Sequence, residues 1–133
     1  MSNDNDIVDH TIFDQLLEMD EGDEDQEFSK GIVINYFEQA EQTFVDMDES
    51  LKAKDLSNLS KLGHFLKGSS AALGLTKVKT HCEHIQYFGN LKDETGSNPV
   101  SEEVALARIT ALLAATKKDY EEAAAYLRNY YNM

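Results

Sequence analysis

Proline is almost missing from this chain of 133 residues: Pro99 is the only one, and tryptophan is absent. Cysteine is limited to Cys82. That excludes an intramolecular disulfide and suits a reducing intracellular compartment. Cys82 falls among Val78, Ile85 and Gly89 on an apolar stripe, where a cysteine acts as a small buried hydrophobe. No run of about 18 apolar residues occurs, so no transmembrane helix is expected. The N-terminus, Met1-Ser2-Asn3-Asp4-Asn5-Asp6, is polar and acidic, unlike a signal or transit peptide. Positive charge is scarce: 12 Lys and Arg face 25 Asp and Glu, for a net charge of −13. Such a surface repels phosphate backbones and anionic lipid, which argues against nucleic-acid and membrane roles. It favours a partner whose docking face is positive or apolar.

Much of the acid is local, in Asp20, Glu21, Asp23, Glu24, Asp25 and Glu27. Two explanations fit this run. It is a solvated loop whose acids favour the N-terminus of the next helix, or it steers partners toward the surface.

Several chemistries lack their residues. Gly63 and Gly68 have P-loop spacing, but Lys67 precedes the second glycine instead of following it, and the segment reads as helix; nucleotide binding there is not expected. There is no Gly-x-Ser-x-Gly elbow and no kinase-like motif set. Glu-x-x-His pairs, which build carboxylate-bridged dimetal bundles, do not occur. His81 and His84 share a helix face, yet no third ligand is placed to complete a metal site, and none is expected.

What the chain does have is helical periodicity. Its length and its apolar content of 41% suit one domain with a sizeable core. A short helix is expected over Asp9–Met19, capped by Asp9. A second runs over Gln26–Lys54, with the stripe Val33, Phe37, Ala40, Phe44, Met47, Leu51. A third covers Leu56–Leu73 and stops at Gly74. A fourth covers Lys77–Leu91, and residues 93–99 form a loop by composition. The last spans Ser101–Tyr131, with Ser101 as cap and the stripe Leu106, Ile109, Leu113, Thr116, Tyr120, Ala123, Leu127, Tyr131. The expected fold is all-α: an up-down-up-down four-helix bundle with an additional short N-terminal helix across one end. Residues 1–133 make one domain, with 1–8 expected to be disordered. The short helix has more apolar surface than it needs, with Ile12, Leu16 and Met19 on one stripe and Phe13 and Leu17 on another. Either the whole helix is wedged into the core, or part of it, extended by Ile32, is a docking patch.

His64 is the most informative residue. At about 100° per residue, Leu59, Leu62, Leu66 and Leu73 gather on one side of its helix, and His64 points away from them. Lys67, Gly68 and Ala71 share its face. Glycine within a helix costs about 1 kcal/mol relative to alanine. Gly63 and Gly68 therefore need a reason, and clearance for a docking surface is one. A surface histidine in an ordinary bundle helix is the plainer reading.

The run His64-x-x-Lys67-Gly68-Ser69, followed by Gly74, resembles the signature of histidine-containing phosphotransfer (HPt) domains. The longer run from Leu62 to Leu75, then Cys82-Glu83-x-Ile85-Gln86, and Phe28-Ser29-Lys30-Gly31 earlier, are similar to fungal members that serve as phosphorelay intermediates in osmosensing.

The resemblance implies a phosphocarrier with no nucleotide site and no cofactor of its own. His64 would accept a phosphoryl group through Nε2 from a receiver-domain aspartate of a hybrid sensor histidine kinase, and pass it to the receiver domain of a response regulator. Mg²⁺ would belong to the partner receiver. Free imidazole titrates at about 6.5, so a lone pair is available near neutral pH. Lys67 would supply a cation, and the side-chain amide of Gln86 would hydrogen-bond the imidazole. Gly68 would give clearance, with Ser69 in support. Ile12, Leu16, Met19 and Ile32 would bind the receiver. Asn90 stands where the fungal relative has a basic residue, leaving one cation fewer. A cytoplasmic and nuclear location is implied. Because the bundle can bury its own stripes, a monomer is expected, with the spare apolar face of the short helix leaving a dimer open. The alternative is a receiver-binding helical adaptor that carries no phosphate, although such proteins typically replace the residue at His64.

Overall fold

In the computed structural model, residues 7–22 and 24–133 are described. Among these residues five α-helices follow one another: α1 (His10–Leu17), α2 (Glu27–Lys52), α3 (Leu56–Ala72), α4 (Thr76–Gly89) and α5 (Glu102–Tyr130). A 3-10 turn over Glu18–Asp20 extends α1. No strand occurs among the described residues; the pair Lys92 and Pro99 forms an isolated bridge. The all-α bundle is therefore the observed fold, with helix ends within a few residues of expectation.

The caps explain those ends. Asp9 accepts a hydrogen bond from the Thr11 N–H, Asp55 from Asn58, and Ser101 from Val104. Each satisfies a donor that the first helical turn leaves without a carbonyl. Gly74 follows α3 at φ +78°, a left-handed conformation that glycine adopts freely. It also seats the chain before α1: the Asp9 N–H donates to its carbonyl at 2.7 Å, and a Cβ on Gly74 would lie 2.6 Å from the Asp9 carbonyl oxygen.

Val33, Phe37, Ala40, Phe44 and Met47 of α2 are buried, as are Ile109, Leu113, Thr116, Tyr120, Ala123 and Leu127 of α5. Leu51 packs against them half-exposed. α3 and α4 approach most closely, and two glycines allow it. A Cβ on Gly63 would sit 2.9 Å from the Cys82 carbonyl oxygen and 3.1 Å from the Gln86 nitrogen. A Cβ on Gly89 would sit 2.8 Å from both the Leu56 carbonyl oxygen and the Ser60 Cβ. Gly63 thus faces inward and serves helix packing; only Gly68 fits the expected role of clearance, with no atom within 4 Å of its Cβ position.

α1 covers one end of the bundle. Phe13 is fully buried, edge-on to Tyr130 at 5.5 Å and Tyr131 at 6.5 Å. The His10 Nε2 and the Tyr126 hydroxyl are 2.9 Å apart. Asp20 departs from the solvated acidic run expected of it: it is buried, accepts the Ser29 N–H at 2.9 Å, and receives the Ser29 hydroxyl, which in turn accepts from the Tyr131 hydroxyl at 2.7 Å. A carboxylate at the start of α2 satisfies a free N–H and meets the positive end of the helix dipole. Glu21, Glu24, Asp25 and Glu27 are exposed; Asp23 lies outside the described residues. Residues 1–6 of the expected disordered segment also lie outside them, while Val8 is wholly buried and Ile7 packs beside the core.

The loop from α4 to α5 is organised by Asp93. Its carboxylate accepts the Thr95 hydroxyl at 2.5 Å, the Thr95 N–H at 3.1 Å and the Asn98 side-chain amide at 2.7 Å. The Thr95 and Asn98 side-chain donors hold the carboxyl well below its usual range. A folded value below the unfolded one means that the contribution is complete above about pH 4 and fades as pH falls further. Asp93→Asn should lower the urea midpoint at pH 7, and the gap from wild type should narrow toward pH 3. A gap that stays constant with pH would remove the charge from this role.

Candidate functional site

α3 divides its residues sharply. Leu59, Gly63, Leu66 and Ser70 are buried, whereas Lys61, His64, Phe65 and Gly68 are exposed. The inward set recurs at helical spacing and packs against α2 and α4, so the histidine is turned outward by the residues around it. His64 stands near the middle of α3. Lys67, one turn on, is half-buried, and among the described residues it has no carboxylate partner. The open Gly68 lies beside it.

Gln86 reaches this region from α4, where its backbone faces Gly63. Its Oε1 is buried with no hydrogen-bond partner. The bond to His64 that the resemblance implies is not formed here. Ser69 is also turned elsewhere: its hydroxyl donates to the Leu66 carbonyl at 3.2 Å and the Phe65 carbonyl at 3.4 Å. Such bonding back to the helix is common for serine. Asn90 is exposed and next to Gly89, at the level of Ser60.

Beneath the site the core is inert. Burial pushes the Cys82 thiol up to about 12, which leaves it protonated and unreactive. The Tyr36 hydroxyl pairs with the Ser70 hydroxyl at 2.8 Å, and burial raises that phenol too. His81 is directed away, its Nδ1 lying 2.6 Å from Asp119 Oδ2 on α5. The His81 and His84 rings are 6.5 Å apart. Among the described residues no group of three His, Cys, Asp or Glu is arranged to hold a metal.

Of the four expected docking residues, Ile12, Leu16 and Ile32 are half-buried, and Met19 is 66% exposed. The short N-terminal helix is therefore not wholly wedged into the core: Phe13 enters it while Ile12, Leu16 and Met19 keep surface. Phe65 was not singled out from the sequence, yet it is 49% exposed beside His64. It borders an open depression of about 380 Å³ with Leu62, Gln42 and Thr43. A second depression, of about 220 Å³, joins Ile32 and Tyr36 of α2 to Ser69 and Ala72 of α3. Phe65 sits about 100° off the buried Leu66, and that offset was the available signal.

Chemically, the arrangement offers one exposed imidazole, a cation one turn away, a flat approach over Gly68 and apolar surface to either side. Comparison with known proteins agrees. The Hpt domain family matches residues 31–126. Multistep phosphorelay regulator 1 of Schizosaccharomyces pombe is 54% identical over 129 residues, which cover 96% of this chain and 43% of that protein. The phosphorelay intermediate protein YPD1 of Saccharomyces cerevisiae is 48% identical over 84 residues, covering 62% of this chain and 49% of the relative. The chain spans about half the length of the curated relatives it matches. Among solved structures, the yeast phosphorelay protein YPD1 superposes with a TM-score of 0.81 at 32% identity over 96% of each chain. A complex of Saccharomyces cerevisiae YPD1 with the receiver domain of its downstream response regulator Ssk1 gives 0.83 at 34% identity over 97% of each chain. From the exposed histidine on α3 to the match across most of the bundle, the observations converge: the chain belongs to the Hpt domain family.

Proposed function

We propose that this protein is a phosphorelay intermediate. It accepts a phosphoryl group on His64 from the receiver-domain aspartate of a hybrid sensor histidine kinase and passes it to the receiver domain of a response regulator. One observation carries the reading: His64 is exposed in mid-helix, with open space over Gly68 and a cation, Lys67, that no carboxylate among the described residues neutralises. The solved complex of the related YPD1 with a receiver domain supports the choice of partner.

In the forward step the Nε2 lone pair of His64 attacks phosphorus in line. The N–P bond forms, the acyl O–P bond breaks, and its electron pair leaves on the partner's carboxylate. The transition state of such transfers is loose, so positioning and charge stabilisation carry the catalysis. This chain contributes the nucleophile and Lys67; Mg²⁺ and further cations belong to the receiver. The reverse step, with a second receiver's aspartate as nucleophile, delivers the group onward. Gln86 would accept an imidazole N–H and so fix the ring when the site is engaged; that its Oε1 is buried and unpartnered supports this role. The chain acts as a carrier without a nucleotide site. A place in osmosensing and a cytoplasmic and nuclear location follow from the same reading. No helix among the described residues is long and apolar enough to cross a membrane.

The test is transfer from a phosphorylated receiver domain with Mg²⁺: acid-labile, base-stable label should accumulate on this chain and then leave on addition of a second, unphosphorylated receiver. Absence of either step contradicts the proposal. The docking surface makes a separate prediction. Met19→Asp places a charge in the exposed apolar stripe where the 3-10 turn extends α1 and should weaken receiver binding about tenfold, or about 1.4 kcal/mol, with unchanged thermal unfolding. Unaltered affinity by titration calorimetry would remove α1 from the interface.

A further inference from the structure

Lys67 is not the only cation next to His64. Lys61 stands three residues before the histidine, as Lys67 stands three after, and it is exposed. Among the described residues neither lysine meets a carboxylate, whereas Lys77, Lys117 and Arg128 are each held by an acid. Other surface lysines are also unpaired; what sets Lys61 apart is its place.

Side chains on an α-helix lean toward its N-terminus and cover the turn before their own Cα. The ring of His64 therefore leans over the turn that carries Ser60 and Lys61, and a phosphoryl group on Nε2 extends further that way. Positions three apart on a helix have Cβ atoms about 5–6 Å from each other, within reach of a four-carbon stem. α4 ends against this same turn, since a Cβ on Gly89 would lie 2.8 Å from both the nitrogen and the Cβ of Ser60. The carbonyl end of α4 puts partial negative charge there, and the exposed Asn90 that follows offers none of the opposite sign. A dianionic group beside that helix end needs a cation from α3, and Lys61 is the one on the correct turn.

We propose that Lys61 is the second cation for the phosphoryl group on His64, opposite Lys67. This rests on His64 being the phosphoacceptor.

The experiment uses the full chain, phosphoramidate as donor, and ³¹P resonance of the phosphohistidine followed across pH. In Lys61→Ala the phosphoryl titration midpoint should rise by about half a unit, the effect of one charge at about 6 Å in water. Lys61→Arg should restore the wild-type midpoint. The difference should shrink in about 1 M salt, where exposed charges are screened. Midpoints that superimpose for wild type and Lys61→Ala overturn the assignment while leaving His64 as acceptor. So does a rise in Lys61→Arg equal to that in Lys61→Ala, since charge would then not be the cause. A wild-type chain that takes no phosphoryl group on His64 overturns both the assignment and the reading beneath it.

Discussion

His64→Gln is expected to reduce phosphoryl acceptance from a receiver domain to background, a fall of at least about 10³-fold, and to leave the fold as it is. The carboxamide has no lone pair of comparable nucleophilicity, and the other three imidazoles lie in different surroundings. His81 is turned to Asp119 on α5, His84 borders a depression with Phe88 of α4 and Arg108 of α5, and His10 pairs with Tyr126 at the end of the bundle. Removing a nucleophile is among the costliest single changes a transfer site can suffer. Stability should change by no more than about 0.5 kcal/mol, because His64 is exposed and its side chain makes no hydrogen bond among the described residues. Labelling kinetics and thermal unfolding, measured on the same preparation, check both halves. Residual labelling within tenfold of wild type would mean that another group accepts the phosphate.

Gly63→Val should be the most damaging substitution on α3, although the position adjoins the active histidine only in sequence. Its first side-chain atom would press on the carbonyl of Cys82 at 2.9 Å and the nitrogen of Gln86 at 3.1 Å. Both are backbone atoms of α4 and cannot turn aside, so the two helices must part. Overpacking of this kind costs about 1–3 kcal/mol, and the gain from replacing a helical glycine offsets only part of it. Parting α3 from α4 also carries Gln86 away from His64, so transfer should slow beyond the loss of folded protein. Gly68→Ala should do the reverse. With nothing within 4 Å of the new methyl group, the helix gains up to about 1 kcal/mol, while the flat approach to the imidazole is lost. Melting temperatures moving in opposite directions for these two glycines is the expected result. A Gly63→Val protein as stable as wild type would contradict the packing described for the seam.

Much of this was legible in the sequence because the signals are local. Asp9, Ser101 and Gly74 mark helix ends by chemistry acting within one turn, and those ends fell within a few residues of expectation. Most residues of the α2 and α5 stripes are buried, since a long amphipathic helix has only one way to face a core; Leu51 and Leu106 at their edges are half-exposed, and the stripes leave out the buried Tyr36, Thr43, Ser50, Ala105 and Ala124. The two roles of glycine were separable in principle. Gly63 is four residues after Leu59 and three before Leu66, hence on the apolar face, whereas Gly68 shares the face of His64. Asp20 carried no such signal. It sits in a run of exposed acids, and its partners Ser29 and Tyr131 are brought to it only by the fold. The orientation of Gln86 was beyond reach for the same reason, because a rotamer decides whether Oε1 meets His64. Exposed apolar surface was half legible: the surplus stripe of the N-terminal helix pointed to Met19, whereas Phe65 needed the depression beside it to stand out.

The central claim is that a single exposed imidazole receives and releases a phosphoryl group. Its most direct test is to map the acid-labile modification after incubation with a phosphorylated receiver domain and Mg²⁺, on wild type and on His64→Gln. One phosphoryl group per chain, attached at His64 and missing from the variant, is the predicted result. Equal modification of the two proteins, or attachment at His10, His81 or His84, would contradict it.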